Sequence, residues 1–415
     1  GWRGATLDNL KKLPVDFPNL KVIKLEQNYR STVRILKAAN NVIANNEKLF
    51  DKKLWSEHGH GEQISVTTYR DNDAEAEGVV MKLQAHRFEQ RTQFKDYAIL
   101  YRSNHQARIF EEYLRDHRIP YLLSGGKSFF DKAEIKDIIA YLRLLANEDD
   151  DPAYIRAATT PKRGIGAATL QVLGTYAGER HVSLFAAAFE EGFAHRVAPR
   201  QLEPLLEFGQ FINRMQERAG RESANLVLPD LLKAIDYETY LYDHEEERVA
   251  QTRWANVCEF ANWINKKGEL DGKTLIELTQ SIALINMLDK QNDEEVDAVQ
   301  LSTLHASKGL EYPHVFLVGV EEGILPHRES TEPSKVEEER RLMYVGITRA
   351  QRTLHISFCE RRKQAREFIP CEPSRFIDEM GRDDVRFAGG KEAKPVDKAT
   401  GSARLDAMKA MLAGN

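Results

Sequence analysis

Cysteine is scarce in this chain. Its three copies, Cys258, Cys359 and Cys371, are odd in number, far apart and without C-x-x-C spacing, which excludes a disulfide framework and a thiolate zinc site. Long apolar runs are missing as well. No stretch approaches the roughly 18 to 20 apolar residues that a bilayer-crossing helix needs, so no membrane span is expected, and the cysteine usage suits a reducing cytoplasm. Nor is there an excess of one charge: a formal net charge of -5 over 415 residues excludes a uniformly basic nucleic-acid binder, while leaving room for local basic grooves. The opening "GWRGATLDNL" has neither an initiator Met nor the charged-then-apolar layout of a signal peptide, and is expected to belong to a longer chain.

With 42% hydrophobic and 30% charged residues, the sequence has material for two or three packed domains. Short β-rich runs alternate with helical patterns in "LKVIKLEQNY", "STVRILKAANNVIANN", "QISVTTY", the stretch Ala74 to Glu89 and "YAILYRSN", as in a parallel α/β sheet. Ile35, Leu36, Ala39, Val42 and Ile43 recur at helical steps, and Ser31 is the expected N-cap. From about residue 126 to 295 helical patterns dominate. Strand-like sequence then returns in "AVQLSTLHA", "HVFLVGV" and "TLHISF". The expected fold is therefore an α/β parallel-sheet domain interrupted by a large, mainly α-helical insert, with a polar, flexible tail over 381–415.

Two stretches imitate phosphate-binding elements. "SGGKSFF" ends like a P-loop, but G-x-x-x-x-G-K-S needs glycine where Tyr121 stands, and "VFLVGVEE" mimics a Walker B strand with no P-loop upstream. Neither reads as a true Walker element, so the chain is not expected to hold a nucleotide's phosphates alone.

Four further stretches carry chemistry. In "LEQNYRST", Arg30 would stand just outside a helix N-terminus, where free N–H groups and the dipole favour anions, and Tyr29 offers a flat face for stacking. "LSTLHASKGLEY" runs from a strand into a loop with Thr303, His305, Ser307 and Lys308 as donors and Glu311 as an acceptor; Gly309 permits close backbone approach. "EEERRLMYVGITRAQRTLHISF" is a helix with Glu337, Glu338 and Glu339 favouring its N-terminus, then a strand, with Arg349 at the junction. Taken singly, each of the three fits the plainer reading of strand-end packing, a polar turn or a solvated arginine. In the insert, "PKRGIG" links two helices: Ile165 would anchor the hairpin, Gly164 and Gly166 would expose backbone N–H groups, and Lys162 and Arg163 would add charge for a DNA backbone.

In this order, the segments resemble the C-terminal half of the superfamily 1A DNA helicases, the group that includes Rep, UvrD and PcrA. "GWRGA" looks like the end of motif III, "QNYRS" like motif IV, "TLHASKGLEY" like motif V and "YVGITRAQ" like motif VI. "PKRGIG" looks like the duplex-contacting loop of the family's insert. "EEGILPHR" and "EPSRF" fit its flanking patterns, and "EPSRF" with the ending "LDAMKAMLA" looks nearest the Rep branch.

The resemblance implies that residues 1–26 end the first RecA-like domain. By the same resemblance 27–125 and 296–380 form the second RecA-like domain, and 126–295 is its insert. It implies that Arg30 and Arg349 reach the γ-phosphate of ATP, that Tyr29 stacks on adenine, that Glu311 meets the ribose, and that Gln27 and Gly309 join the nucleotide-facing set. It also implies that Trp2 and Arg3 hold single-stranded DNA, with Thr303 and His305 along the same track. The P-loop and the Mg2+ ligands would belong to an N-terminal RecA-like half of the same protein. The expected activity is thus ATP-dependent 3′-to-5′ DNA translocation and unwinding in replication or repair, with this chain inactive alone. Single-stranded and duplex DNA are the expected partners, and the tail is an expected contact for replication or repair proteins. The rival reading is a non-enzymatic duplex-binding module that regulates a larger motor.

Overall fold

The computed structural model describes residues 12, 15–18, 30–47, 55–126, 128–288, 296–364 and 367–389. The expected strand "LKVIKLEQNY" and residues Trp2, Arg3, Gln27 and Tyr29 lie outside the described residues. In chain order, helix α1 (Val33–Ile43), strand β1 (Ile64–Tyr69), α2 (Asn72–Gln90), β2 (Tyr97–Tyr101), α3 (Ala107–Asp116) and β3 (Tyr121–Ser124) come first. A helical run follows: α4 (Ala133–Ala146), α5 (Asp151–Thr159), α6 (Ala167–Arg180), α7 (Leu184–Ala188), α8 (Glu191–Ala194), α9 (Pro199–Ala219), α10 (Ala224–Ile235), α11 (Tyr237–His244), α12 (Glu247–Asp271) and α13 (Leu275–Leu288). The chain then forms β4 (Val299–Thr303), β5 (Tyr312–Leu317), α14 (Pro333–Thr348), β6 (Ala350–Cys359), hairpin strands β7 (Arg361–Gln364) and β8 (Glu367–Pro370), α15 (Arg375–Glu379) and β9 (Val385–Gly389).

These elements divide into two units. The first takes residues up to Tyr113, Tyr121–Gly126 and Asp297 onward; the second takes Leu114–Pro120 and Lys127–Val296.

The first unit is an α/β layer built on a seven-stranded sheet in the order β3-β4-β2-β5-β6-β1-β9, parallel at every pairing. Register sets Val66 beside Ile356 and Ala98 beside Val315, so alternate residues of neighbouring strands share a face. Ile64, Val66, Ala98, Leu100, Val315, Leu317, Leu354 and Ile356 make one face apolar, and it packs with Ile35, Ala39 and Val42 of α1 and Met343 and Ile347 of α14. The opposite face, beneath α2, carries Ser65, Thr67, Tyr97, His314, Thr353 and His355.

In the second unit α4 is central, packing on α5, α9, α12 and α13. Its buried Ile138, Tyr141 and Leu144 share one core with Tyr154, Phe208, Leu231 and Phe260. Asp150 starts α5 by accepting a bond from Ala153 N–H, with proline in the first turn. Among the described residues no helix is long and apolar enough to cross a membrane.

Three expectations need correction. Ser31 does not cap α1: Thr32 holds the N-cap position, and the fully buried Ser31 hydroxyl donates to Ala350 O at 2.6 Å. Glu337, Glu338 and Glu339 do not occupy the first turn of α14, because the helix begins earlier, at Pro333, whose fixed φ suits a first position. Residue 381 does not open a structureless tail, since Val385–Gly389 pairs in parallel with β1 as an edge strand.

Candidate functional site

Three chain segments meet at one end of the sheet. Ser31 Oγ bonds Ala350 O, Thr32 N–H donates to Gln351 O at 3.0 Å, and Tyr312 N–H donates to Arg349 O at 2.9 Å. These bonds carry Arg30, Glu311 and Arg349, each adjacent in sequence to an anchored residue, into one group. Arg30 Nε lies 2.7 Å from Glu311 Oε2. Arg349 is half-buried, and its guanidinium donates to the carbonyls of Leu310 (2.7 Å), Val345 (3.2 Å) and Ser307 (3.5 Å). Burial, then the neighbouring Arg30, push the Arg349 pKa below its ordinary value, with Glu311 opposing. Two guanidiniums near one carboxylate leave a positive balance, an arrangement suited to a phosphate group that can compete for them.

Gly309 gives the loop its turn. Its φ is +85°, and no described atom lies within 4 Å of the Cβ it lacks, so the requirement is backbone conformation rather than space. Thr303, expected to face DNA, is buried, and its Oγ1 accepts from Ala306 N–H at 3.2 Å, which occupies the hydroxyl inside the loop. His305 is exposed. Partial desolvation of its ring, then Arg102, lower its pKa.

The sequence reading missed the residues around His305. Arg102, at the end of β2, binds the buried Glu339 through Nε (2.9 Å) and Nη2 (2.7 Å), and Glu339 also accepts from His327 N–H at 3.0 Å. Burial, then the charges of Arg362, His327 and Arg328, lower the pKa of His105, and of these Arg362 is itself paired with Glu75 and Glu321. The signal was present in "YRSNHQAR", a basic run leaving a strand. The Walker B imitation is structural: Glu321 accepts from Cys359 N–H at 3.0 Å and pairs with Arg362, and Glu322 accepts from Arg375.

The "PKRGIG" stretch forms a turn between α5 and α6. Ile165 is 8% exposed and belongs to the core, Gly164 has φ +81°, and Gly166 is the N-cap of α6. Lys162, Gly164 and Gly166 are exposed. Arg163 departs from the expected outward role: its guanidinium lies 4.8 Å over the Phe208 ring, binds the Tyr141 hydroxyl and donates to Pro161 O at 3.3 Å. Its charge braces the turn, and the exposed charge of the stretch is Lys162.

The UvrD-like helicase C-terminal domain family matches residues 23–361. The chain is similar to two proteins called ATP-dependent DNA helicase Rep. It is 47% identical to that of Salmonella typhimurium and 46% to that of Escherichia coli, in each case over 99% of this chain and 62% of the relative. It is 40% identical to ATP-dependent DNA helicase PcrA of Bacillus subtilis, over 92% of this chain and 52% of that protein. The chain thus spans less than two thirds of the length of these relatives.

Proposed function

The chain belongs to the UvrD-like helicase C-terminal domain family, and from that premise we propose that it forms one wall of the ATP site of a 3′-to-5′ DNA helicase acting in replication or repair. In this reading Arg30 and Arg349 bind the terminal phosphate and stabilise the charge that develops there during transfer. Glu311 holds Arg30 until the phosphate competes for it, then turns to the ribose. Gly309 lets the loop backbone lie close to the nucleotide, while Tyr29 and Gln27 complete that wall. Bound ATP with Mg2+ supplies the transferable phosphoryl group, and the metal's ligands and the P-loop belong to an N-terminal RecA-like half of the same protein.

The observation that carries the reading is the grouping of the two guanidiniums around Glu311, with Arg349 held by three loop and helix carbonyls. The exposed His305 suits a single strand that Trp2 and Arg3 also hold. Lys162 and the exposed N–H groups of Gly164 and Gly166 suit a duplex backbone. Repeated closure and release about the two arginines would then advance the strand.

The test is Arg349→Ala in the intact protein. DNA-stimulated ATP turnover should fall about 10³-fold or more while nucleotide binding persists, as expected for a lost arginine finger. Turnover equal to the parent's would overturn the assignment.

A further inference from the structure

A second group of titratable side chains lies between α2 and the polar face of the sheet, where no nucleotide or DNA role absorbs it. His86 of α2 stands 4.5 Å from His314 of β5 and 6.2 Å from His355 of β6, centroid to centroid. Each ring has its Nδ1 on a hydroxyl: Tyr97 at 2.6 Å, Thr353 at 2.7 Å and Ser65 at 2.6 Å, respectively. Nε2 of His314 is buried without a hydrogen-bond partner. Lys82, one turn before His86 on α2, reaches Thr67 Oγ1 at 3.3 Å and Ser65 Oγ at 3.5 Å. Arg386 of β9 acts on Lys82 and Arg352 of β6 on His314; the acids acting here are Glu62 and Glu89 on His86 and Asp96 on His314.

We propose that this seam is a proton-sensitive latch, closed while the three imidazoles are neutral and opened, with α2 leaving the sheet, when they take up protons. The geometry gives the reason. Imidazolium rings 4.5 to 6.2 Å apart, beside an ammonium, repel one another in a site that water screens poorly. Hydroxyl partners supply no compensating negative charge.

The direction of titration agrees. Burial, then the cluster's other cations, bring His314 down to about 4 and His355 to about 3, and burial lowers His86 as well. In the unfolded chain these groups protonate near the ordinary 6.5. Above that pH both states are neutral and the seam contributes fully. Between 6.5 and about 4 the open state takes up protons that the closed state refuses, so stability is lost as pH falls, by about tenfold in the closing equilibrium per pH unit for each buried histidine.

The latch has a reach beyond the seam. About three turns earlier on α2, Glu75 accepts from Gly319 N–H (3.2 Å), Ser357 Oγ (2.8 Å) and Arg362 Nη2 (2.8 Å), holding the loop after β5 and the β7–β8 hairpin. Opening the seam would therefore loosen the loop after β5 and that hairpin. This inference does not depend on the proposed helicase role.

Amide hydrogen exchange on this chain at pH 6.5 and pH 5 tests it, with α12 of the other unit as internal control. The opening constant of α2 should rise by about two to three orders of magnitude over that interval, and that of α12 by less than tenfold. The substitutions His314→Asn and His355→Asn together, keeping a partner for Thr353 and Ser65, should flatten the α2 response. If that variant does not fold, imidazole nitrogen shifts of the parent chain replace it, and neutral His314 and His355 at pH 5 support the latch. Parallel responses of α2 and α12, an unaltered α2 response in the folded variant, or protonated rings under an intact α2 would each overturn it.

Discussion

The two faces of the seven-stranded sheet are built differently from the same strands, one wholly apolar and the other mixed. On β6, Leu354 and Ile356 point into an apolar layer under α1 and α14, while Thr353, His355 and Ser357 point to a mixed layer under α2, where hydroxyls, imidazoles and carboxylates sit among buried Ile99 and Phe316. The apolar face gains stability from area removed from water, which is indifferent to direction and to pH. The polar face gains little net stability from each bond, yet every bond fixes a position, and an unmade one is costly. Fixing positions matters most at the ends of α2 and β6, where loops and a hairpin must be held. The parallel sheet can carry a polar face because α2 covers it and nearly every polar atom there has a partner.

The sharpest break in that contrast is Arg362→Met. Arg362 bridges Glu75 and Glu321, whose side chains are each 2% exposed, and burial works against its charge while the two carboxylates outweigh that and hold its pKa above the ordinary value. Removing the cation leaves two buried carboxylates facing each other, which costs about 3–5 kcal/mol. Urea unfolding of the chain should lose that much at pH 7. A loss under about 1 kcal/mol would mean the polar face is no more demanding than a surface.

How much of this was legible depended on distance along the chain. The strands "QISVTTY" and "YAILYRSN", the apolar stripe of α1 and the helical insert follow from local periodicity, and they stand where the pattern put them. The junction position of Arg349 and the turn at Gly164 were legible for the same reason. Ser31 was misread because its partner, Ala350, is 319 residues away, and a local rule offered it a capping role. Arg102 with Glu339 and Arg362 with Glu75 are likewise pairs across more than two hundred residues. The histidine seam draws one residue from each of three elements, so no window of sequence contains it. β9 was lost in the polar composition of its surroundings, because an edge strand needs only one neighbour and little apolar content.

On the apolar side, Leu354→Ala is the matching break. Leu354 is 1% exposed within the layer formed with α1 and α14. Its truncation should cost about 2–4 kcal/mol, transfer and cavity terms together. The loss should be the same at pH 7 and pH 5.5, because no titratable group reports on that cavity. A pH-dependent loss would show that the two faces are not independent across the sheet.

The smallest and most discriminating change is Thr353→Val, one residue away and on the opposite face. Valine keeps the shape and the strand preference of threonine, so packing and backbone are preserved. What disappears is the hydroxyl 2.7 Å from His314 Nδ1. Since Nε2 of the same ring is buried and already lacks a partner, the neutral imidazole would then have neither nitrogen satisfied. The expected cost is about 1–3 kcal/mol at pH 7, the penalty of stranding a buried polar group rather than the value of one hydrogen bond. It should also appear locally, as faster amide exchange in β5 and α2 with α1 unchanged, whereas Leu354→Ala should act first on α1 and α14. If Thr353→Val is neutral and the two substitutions perturb the same amides, the separation of the sheet into a layer that stabilises and a layer that positions is wrong.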